Sequence, residues 1–241
     1  MHSIKSIAIA AIGIAFSALV SIAQAAPVTV PVGLNPGDQY RLVFVTSTTR
    51  DATSANLADY NAFVTAAANS VSELAALGAN WRAIASTAGN PNARTNTNTD
   101  FAVDGAGVKI FLLDGTTIVA DDNQDLWDGT LDNAINRDES GAVLAGSGFP
   151  DAGVWTGTSF TGVVSPGGRG LGGIPNGPMV GDHNSTSTTW MQFTPSGINT
   201  QHHLYGISDV ITVEVISEPG ALAVFGLGLA GIGLMRRRRA A

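Results

Sequence analysis

Residues 40–46 have the sequence Tyr-Arg-Leu-Val-Phe-Val-Thr, and this stretch predicts the strand around which the domain is built. Aromatic and β-branched side chains favour strands, and a strand that is apolar on both faces is covered on both sides. Arg41 is the only charged residue in the stretch. We therefore expect a central, buried strand of a sheet.

A helical pattern follows this strand. Apolar residues recur at spacings of three and four, and they predict a helix that begins at a Thr53 or Ser54 cap and ends near Leu77. Asn69-Ser70 could divide this helix into two. Residues 89–100, rich in Asn and Thr, are predicted to be a loop.

Short strand patterns occupy much of the remaining chain. Asp114-Gly115 is a dipeptide that hairpin turns favour, and its flanks predict a β-hairpin over residues 108–120. Eight of the twenty residues at 162–181 are glycine, which predicts a long loop. Together with the helix, these patterns predict an α+β domain. The other predicted strands are 28–30, 81–86, 154–158, 190–193, 204–208 and 210–215.

The segment between the two chain ends, residues 26–216, is strongly acidic. It contains seven basic and 18 acidic residues (the 19 of the whole chain less Glu218), a net charge of 7 − 18 = −11. Such a surface repels phosphate backbones, so nucleic acid is not expected as a partner, whereas divalent cations would be attracted. The segment has the size of one domain, and the chain has no cysteine, so a hydrophobic core rather than disulfides must stabilise it.

The first 25 residues have the pattern of a signal peptide. Lys5 supplies a positive charge, residues 7–20 are uncharged and apolar, and Ala23-Gln24-Ala25 is a small-x-small cleavage motif. We predict cleavage before Ala26. The alternative is an uncleaved membrane anchor, which the shortness of the apolar run disfavours.

The last 25 residues have a second targeting pattern. A polar hinge, Ser217-Glu218-Pro219-Gly220, precedes an apolar run at residues 221–235 and four consecutive arginines. The run predicts a short transmembrane helix of about 22 Å, whereas a hydrocarbon core is about 30 Å thick. This length favours a transient stop over a permanent single-pass anchor, and in either case residues 26–216 face the periplasm or the exterior. The arginines are Arg236, Arg237, Arg238 and Arg239.

This tail resembles the PEP-CTERM sorting signal of Gram-negative, exopolysaccharide-producing bacteria, in which a Pro-Glu-Pro triplet precedes an apolar helix and an arginine cluster. Glu218-Pro219, residues 221–235 and the arginines match, whereas Ser217 stands where the first proline is usual. The resemblance implies export through the inner membrane and removal of the tail by an exosortase, a membrane-embedded cysteine transpeptidase or protease. The mature protein would then lie at the envelope surface or outside the cell.

The central domain resembles the C-type-lectin-like fold, as in endostatin-type domains, through five short motifs. The resemblance implies a mixed or antiparallel sheet with one or two helices and long glycine-rich loops, in which residues 28–32 pair with residues 210–215. The cysteines and sugar-selecting triplets of animal lectins are missing, so sugar binding does not follow from the resemblance. The motifs are 40–46, 59–64, 126–129, 154–157 and 204–208.

An acidic segment after the hairpin is the candidate metal site. Asp121, Asn123, Asp125 and Asp128 place oxygen atoms at short intervals, as calcium-binding loops do. Calcium is therefore the candidate cofactor. The alternative is a solvated turn in which Asp128 caps a helix or a turn.

Three histidines are weaker candidates for chemistry. His183, His202 and His203, with Asp182, could in principle gather around zinc. Adjacent histidines point to opposite faces of a strand, and the chain has no His-Glu-x-x-His motif, so solvent-exposed histidines are expected instead. The sequence also lacks a cysteine nucleophile and a Gly-x-Ser-x-Gly elbow.

The four tryptophans could stack on sugar rings or fill the core. In a chain with 7% aromatic residues, we expect at least three of the four to belong to the core. They are Trp81, Trp127, Trp155 and Trp190.

As a whole, the sequence predicts an exported, non-catalytic binding or structural protein associated with exopolysaccharide or biofilm. The alternative is a secreted polysaccharide-active hydrolase, which would need two carboxylates at a set separation. A binding module would show a shallow, aromatic-lined or cation-bearing loop surface. Clustering of Asp121, Asp125, Asp128 and Trp127 at one exposed loop would favour binding.

Overall fold

The computed structural model describes residues 26–214, apart from residues 90, 147 and 174. The predicted signal peptide and the predicted sorting tail, with its transmembrane helix at 221–235, lie outside these residues. Within the described part of the chain, no helix is long and apolar enough to cross a membrane.

The described residues form an α+β domain, as the sequence predicts. Its strands are β1 (Gln39–Val45), β2 (Trp81–Ala83), β3 (Ile110–Leu112), β4 (Ile118–Ala120), β5 (Gly153–Trp155), β6 (Met179–Asp182), β7 (Thr194–Pro195), β8 (Tyr205–Ser208) and β9 (Ile211–Thr212). Its helices are α1 (Leu57–Asn69), α2 (Ser72–Ala76), α3 (Ala93–Asn96), α4 (Phe101–Asp104) and α5 (Asn123–Leu126), and a 3₁₀ helix spans Thr188–Trp190.

The strand β1 lies at the centre of the larger sheet, which confirms the prediction for residues 40–46. The strands of this sheet lie in the order β2-β8-β1-β3-β4, and β9 pairs with the first residues of β1. β1 runs parallel to β3 and antiparallel to β8 and β9. Every residue of β1 except Gln39 is buried.

Alternate residues of β1 enter two hydrophobic cores, because successive side chains of a strand point to opposite faces of the sheet. Leu42 and Phe44 pack on one face with apolar residues of α1. Val43 and Val45 pack on the other face with Trp190. The strands β5, β6 and β7 form a second, antiparallel sheet, and its residues contribute to both cores.

The predicted helix is present but shorter at its start, and it divides where the sequence suggested. The side chain of Asn56, not of Thr53 or Ser54, caps α1 by accepting a hydrogen bond from Ala58 N at 3.2 Å. Ser54 instead accepts from Asn56 N at 3.0 Å and holds the preceding turn. Ser70 ends α1 and Val71 precedes α2.

The predicted pairing of residues 28–32 with residues 210–215 is wrong. Val28 N donates to Leu113 O and Val32 N donates to Gly115 O, both at 2.8 Å. Residues 28–32 therefore lie alongside the turn of the hairpin and hydrogen-bond to it. Pro31 lacks an N–H group, which prevents a continuous ladder here. The last strand, β9, pairs with the beginning of β1 instead.

Two local predictions are also wrong. Residues 190–193 were expected to be extended, but the chain at Thr188–Trp190 is a 3₁₀ helix. The hydroxyl groups of Ser185, Ser187 and Thr189 hydrogen-bond one another there, and such local bonds compete with a strand ladder. The predicted loop at 89–100 contains the single-turn helix α3.

The hairpin at 108–120 is confirmed by the antiparallel pairing of β3 with β4. Its connection is longer than the two-residue turn that Asp114-Gly115 predicts. The reason is that Asp114 Oδ1 accepts hydrogen bonds from Thr116 N at 3.0 Å and Thr117 N at 2.9 Å, which widens the turn.

The buried charge on β1 fastens the sheet to the chain that precedes α4. Arg41 is 4% exposed, and its Nη1 donates to Thr97 O at 2.9 Å and to Ser208 O at 2.8 Å. Its Nη2 donates to Asn98 O at 2.9 Å. Burial lowers the pKa of Arg41, whereas the nearby carboxylates of Asp209 and Asp104 raise it. Arg41 thereby holds residues 97 and 98 in place beside the candidate site.

Candidate functional site

A pocket of 440 Å³ lies where three short segments meet: the segment after β2 that contains α3 and α4, the segment around α5, and the loop after β5. Small-molecule sites are typically concave, with apolar walls and a few convergent polar groups. This pocket has that composition. Its lining residues are Arg94, Asp100, Phe101, Ala102, Asn123, Gln124, Trp127, Asp128 and Thr161.

Trp127 forms the aromatic wall of this pocket. The other tryptophans, Trp81, Trp155 and Trp190, are at most 2% exposed, which confirms that three of the four belong to the core. Trp127 is half-buried, and its indole stacks on the ring of Trp190 with centroids 5.9 Å apart. Its Nε1 donates to Thr99 Oγ1 at 2.9 Å. One face of the Trp127 indole therefore packs on Trp190, and the hydrogen bond to Thr99 fixes the orientation of the ring.

A glycine makes room for this indole. A Cβ atom on Gly162 would lie 2.9 Å from Trp127 Cδ2 and 3.0 Å from Arg94 Cβ. Gly162 also has a φ of 78°, in the left-handed region that favours glycine. The glycine-rich loop that the sequence predicted thus has a specific steric role at the pocket.

A second aromatic ring stands at the rim. Phe101, the first residue of α4, is 49% exposed. The preceding residue, Asp100, caps α4 by accepting from Ala102 N at 3.2 Å and forms an ion pair with Arg94 at 3.0 Å. The helix cap therefore fixes Phe101 at the mouth of the pocket, and the only cation of the lining is already neutralised by its neighbour.

Asn123 supplies a buried amide to the lining. The residue is 1% exposed, and its Nδ2 donates to Gly105 O at 2.9 Å. Since a carbonyl can only accept, this bond fixes which amide atom is the nitrogen. Asn123 Oδ1 is buried and accepts no hydrogen bond within the described residues. It is a hydrogen-bond acceptor without a donor, which is costly unless a ligand or a solvent molecule supplies one.

The acidic residues around α5 have separate tasks. Asp122 caps α5 by accepting from Gln124 N at 2.8 Å and Asp125 N at 2.9 Å. Asp121 accepts from Lys109 Nζ at 2.6 Å, and Asp125 accepts from Asp121 N at 2.7 Å. Each bond follows from short sequence separation or, for Lys109, from its position immediately before β3, and none requires a metal.

The predicted calcium ligands divide between the pocket and the surface beside it. Asn123 and Asp128 line the pocket, whereas Asp121 and Asp125 lie beside it. Asp128 Oδ1 accepts from Thr130 N at 2.8 Å, which is the turn-capping role that the alternative interpretation assigned to it. Among the described residues, no group of three or more histidine or carboxylate side chains could hold a metal ion. The placement of these side chains gives the calcium prediction no support.

The carboxylates near α5 nevertheless influence one another. The pKa of Asp125 is raised, first by burial and then by the negative charges of Asp132, Asp128 and Asp121. The hydrogen bond from Asp121 N opposes this shift. The surface next to the pocket therefore carries a concentrated negative charge.

The prediction that the histidines are exposed is wrong for two of them. His183 and His202 are at most 1% exposed. His202 fits edge-on against the ring of Trp155, with centroids 4.7 Å apart, because a Cβ atom on Gly153 would lie 2.4 Å from His202 Nδ1. Burial lowers the pKa of His183, and it lowers the pKa of His202 to about 4.

These histidines do not form a hydrolytic site in the part of the chain that is described. His202 Nε2 lies 3.2 Å from Ser196 Oγ, a contact of the kind found in serine nucleophiles. No carboxylate among the described residues hydrogen-bonds to His202, so the third group that orients such a base is missing from this arrangement. His203 Nδ1 lies 2.6 Å from the backbone oxygen of Thr46.

A larger cavity of 570 Å³ lies elsewhere, between α2 and β9. Its lining is mainly apolar, and its charged side chains are Glu73 and Glu214. Tyr40, its aromatic residue, is fully buried and donates its hydroxyl to Thr29 O at 2.6 Å. The smaller pocket combines half-exposed aromatic faces with amide and carboxylate groups, so we take the smaller pocket as the candidate site.

The clustering of Asp121, Asp125, Asp128 and Trp127 that would favour binding is only partly present. Trp127 and Asp128, which are adjacent in the chain, line the pocket, and Asp121 and Asp125 do not. Arg94, Phe101 and Thr161 were missed because they are distant in sequence and carry no motif. Phe101 had one signal, since an Asp-Phe step after a loop is compatible with a helix cap followed by an exposed first turn.

Comparison with known proteins adds no assignment. No protein-family model matches the chain, and no curated protein is significantly similar to it. Ser217, Glu218, Pro219, Arg236, Arg237, Arg238 and Arg239 of the predicted sorting signal lie outside the described residues, as do Ala23 and Ala25. Ala26 is exposed.

Proposed function

We propose that the protein is a non-catalytic carbohydrate-binding module that is exported and associates with exopolysaccharide. The observation that carries this proposal is the half-buried indole of Trp127, fixed by Trp190 and Thr99 at the wall of an open pocket. Aromatic faces stack on the apolar C–H faces of sugar rings, and neighbouring amides and carboxylates bind the sugar hydroxyl groups. Gln124, Asn123 and Asp128 provide such groups beside Trp127.

The finer fold assignment, a C-type-lectin-like domain, belongs to the same proposal. It is supported by the larger sheet, in which the first strand pairs with the last two, and by the long glycine-rich connection between β5 and β6. It is also supported by a helix, α1, packed against one face of that sheet. Sugar binding does not follow from this fold, and its support is the lining of the pocket.

Binding of an oligosaccharide to the secreted protein should change its tryptophan emission, because Trp127 lines the pocket. The change should come from Trp127 alone, since the other three indoles are buried and inaccessible to ligand. Trp127→Ala and Phe101→Ala should each weaken binding about tenfold or more, which corresponds to about 1.4 kcal/mol. Calorimetric titration measures the affinity where the variant lacks the reporter indole.

A matched control exists for this experiment. Phe193 is 47% exposed, close to the 49% of Phe101, but it packs against Phe149 away from the pocket. Phe193→Ala should leave the affinity unchanged. Equal losses in Phe101→Ala and Phe193→Ala, or no binding of any neutral, amino or acidic oligosaccharide by the parent protein, would contradict the proposal.

The proposal includes delivery by the tail. We infer that an exosortase at the inner membrane recognises Glu218-Pro219 and removes the tail, since the apolar run at residues 221–235 is short for a permanent anchor. Mass spectrometry of the secreted protein should show an N-terminus at Ala26 and a C-terminus near Pro219. A mature protein that still contains Arg239 would refute removal of the tail.

The hydrolase remains the competing function, and one observation bears on it. Asp128 and Asp100 both line the pocket, as a pair of catalytic carboxylates would. Asp100, however, caps α4 and is paired with Arg94, so it is committed to a structural role. Release of reducing ends from an oligosaccharide that is abolished by Asp128→Asn would favour the hydrolase over the binding module.

A further inference from the structure

The charge around the pocket indicates which sugars it would take. Five aspartates fall within residues 121–132, and the basic side chains nearby are Lys109 and Arg94. Lys109 is paired with Asp121 and Arg94 with Asp100. Among the described residues, no salt bridge joins Asp122, Asp125, Asp128 or Asp132 to a basic side chain. An acidic ligand would be repelled from this surface, and a cationic one attracted.

The hydrogen-bonding groups of the pocket also select for a donor. Asp128 uses Oδ1 to accept from Thr130 N and Thr130 Oγ1, which leaves Oδ2 facing no donor among the described residues. Asn123 Oδ1 is buried without a donor. An ammonium group offers three donors and no acceptor, so it suits a pocket that presents acceptors such as the exposed carboxylate of Asp128. A carboxylate offers only acceptors and does not suit such a pocket.

The aromatic rings add to this preference. A cation near the face of an indole or a phenyl ring is attracted by the negative charge density of that face. Trp127 and Phe101 present such faces at the pocket, and Asp128 adjoins Trp127 in the chain. A sugar ring that stacks on Trp127 would therefore bring a ring substituent close to the Asp128 carboxylate.

We propose that the pocket binds a polysaccharide with free, protonated amino groups, such as a partly deacetylated hexosamine polymer. This inference rests on the proposed carbohydrate-binding function and names its ligand class. The stacking face is Trp127, the charge partner of the amine is Asp128, and the buried acceptor is Asn123. Uronic acid polymers are excluded by charge, and N-acetylated polymers lose the ion pair.

Three probes test the ligand class with the secreted protein. They are oligomers of β-1,4-linked glucosamine, the same oligomers fully N-acetylated, and oligogalacturonate of equal length. We expect the glucosamine oligomer to bind about tenfold or more tightly than its acetylated form and the oligogalacturonate to bind most weakly. Raising the salt concentration should weaken glucosamine binding more than binding of the neutral oligomer.

Two matched variants locate the interaction. Asp128→Asn keeps an acceptor for Thr130 and removes the charge, so it should abolish the preference for the free amine and leave binding of the acetylated oligomer unchanged. Asp132→Asn removes an exposed carboxylate of the same acidic surface that does not line the pocket, and it should change little. Equal losses in the two variants would indicate non-specific attraction of a polycation and would overturn the inference.

The outcomes separate this inference from the function on which it rests. If the acetylated or the acidic oligomer binds as tightly as the glucosamine oligomer through Trp127, the ligand class is wrong and the carbohydrate-binding function stands. If none of the three oligomers binds, both are overturned. If the glucosamine oligomer binds equally well to Trp127→Ala, the site is wrong.

Discussion

Arg41→Ala is expected to lower the free energy of unfolding by roughly 3 kcal/mol. The substitution leaves the backbone oxygens of Thr97 and Ser208 without their donors in a buried setting, and it also removes the partly buried hydrogen bond to Asn98 O. An unpaired buried polar group costs about 1–3 kcal/mol, and removal of the desolvated charge offsets part of the total. Equilibrium denaturation with guanidinium chloride measures the change.

The same substitution should also make the Trp127 indole in the pocket less firmly held. Thr97 and Asn98 precede Thr99, whose hydroxyl accepts the hydrogen bond from Trp127 Nε1 at 2.9 Å. We therefore expect Arg41→Ala to increase quenching of tryptophan emission by acrylamide, because the indole is less firmly held. Arg41→Lys should recover only part of the stability, since an ammonium group cannot span three carbonyls as the guanidinium does.

Arg169→Ala is the matched control, because Arg169 is a half-buried arginine of the glycine-rich loop. Its removal should change stability by less than about 0.5 kcal/mol. Arg41→Ala and Arg169→Ala variants with the same denaturation midpoint would show that Arg41 does not fasten the sheet to residues 97 and 98.

Acidification from pH 6.5 to pH 4 is expected to destabilise the protein by roughly 3 kcal/mol through His202 alone. The pKa of His202 is about 4 in the folded protein, against 6.5 in the unfolded chain. Between these values the unfolded state binds more protons, so stability falls as the pH falls, at about 1.4 kcal/mol for each unit of pKa difference. Above pH 6.5 this contribution to the pH dependence vanishes. The lowered pKa of His183 acts in the same direction.

Denaturation curves at several pH values test this dependence. His202→Gln retains a hydrogen-bonding side chain of similar size without a titrating ring, so its stability should vary much less between pH 4 and pH 6.5. The carboxylates provide an internal control, because the pKa of Asp114 is lowered to about 2 and its contribution to stability is lost only below pH 4. A wild-type protein whose stability is constant from pH 6.5 to pH 4 would contradict the burial of both histidines.

The sequence alone predicted the features that depend on local pattern. Residues 40–46 indicated a buried central strand because apolar side chains on both faces exclude any other place in a sheet. The hairpin around Asp114-Gly115, the division of the helix at Asn69-Ser70 and the core role of three tryptophans followed in the same way. Each of these depends on residues within a few positions of one another or on composition.

The errors occurred where a competing local hydrogen bond, or a contact between residues distant in the chain, determines the structure. Asn56 rather than Thr53 or Ser54 caps α1, because Ser54 bonds to Asn56 N instead. The first segment pairs with the hairpin rather than with β9, since Val28 and Val32 donate to Leu113 and Gly115. The histidines are buried because Gly153 leaves space for the ring of His202, a steric fact that no pattern expresses.

Only the tertiary structure decided which tryptophan is available to a ligand. Trp127 had the same sequence signature as the other three, and its partial exposure results from contacts with Thr99, Gly162 and Trp190. These residues are between 28 and 63 positions away in the chain, so their proximity depends on sheet order and on the clamp that Arg41 forms. The sequence determined the acidic, cysteine-free, strand-centred domain and predicted its delivery signals, because composition and local periodicity are sufficient for those. The pocket depends on the fold, because its lining comes from three segments that are distant from one another in the chain, residues 94–102, 123–128 and 161.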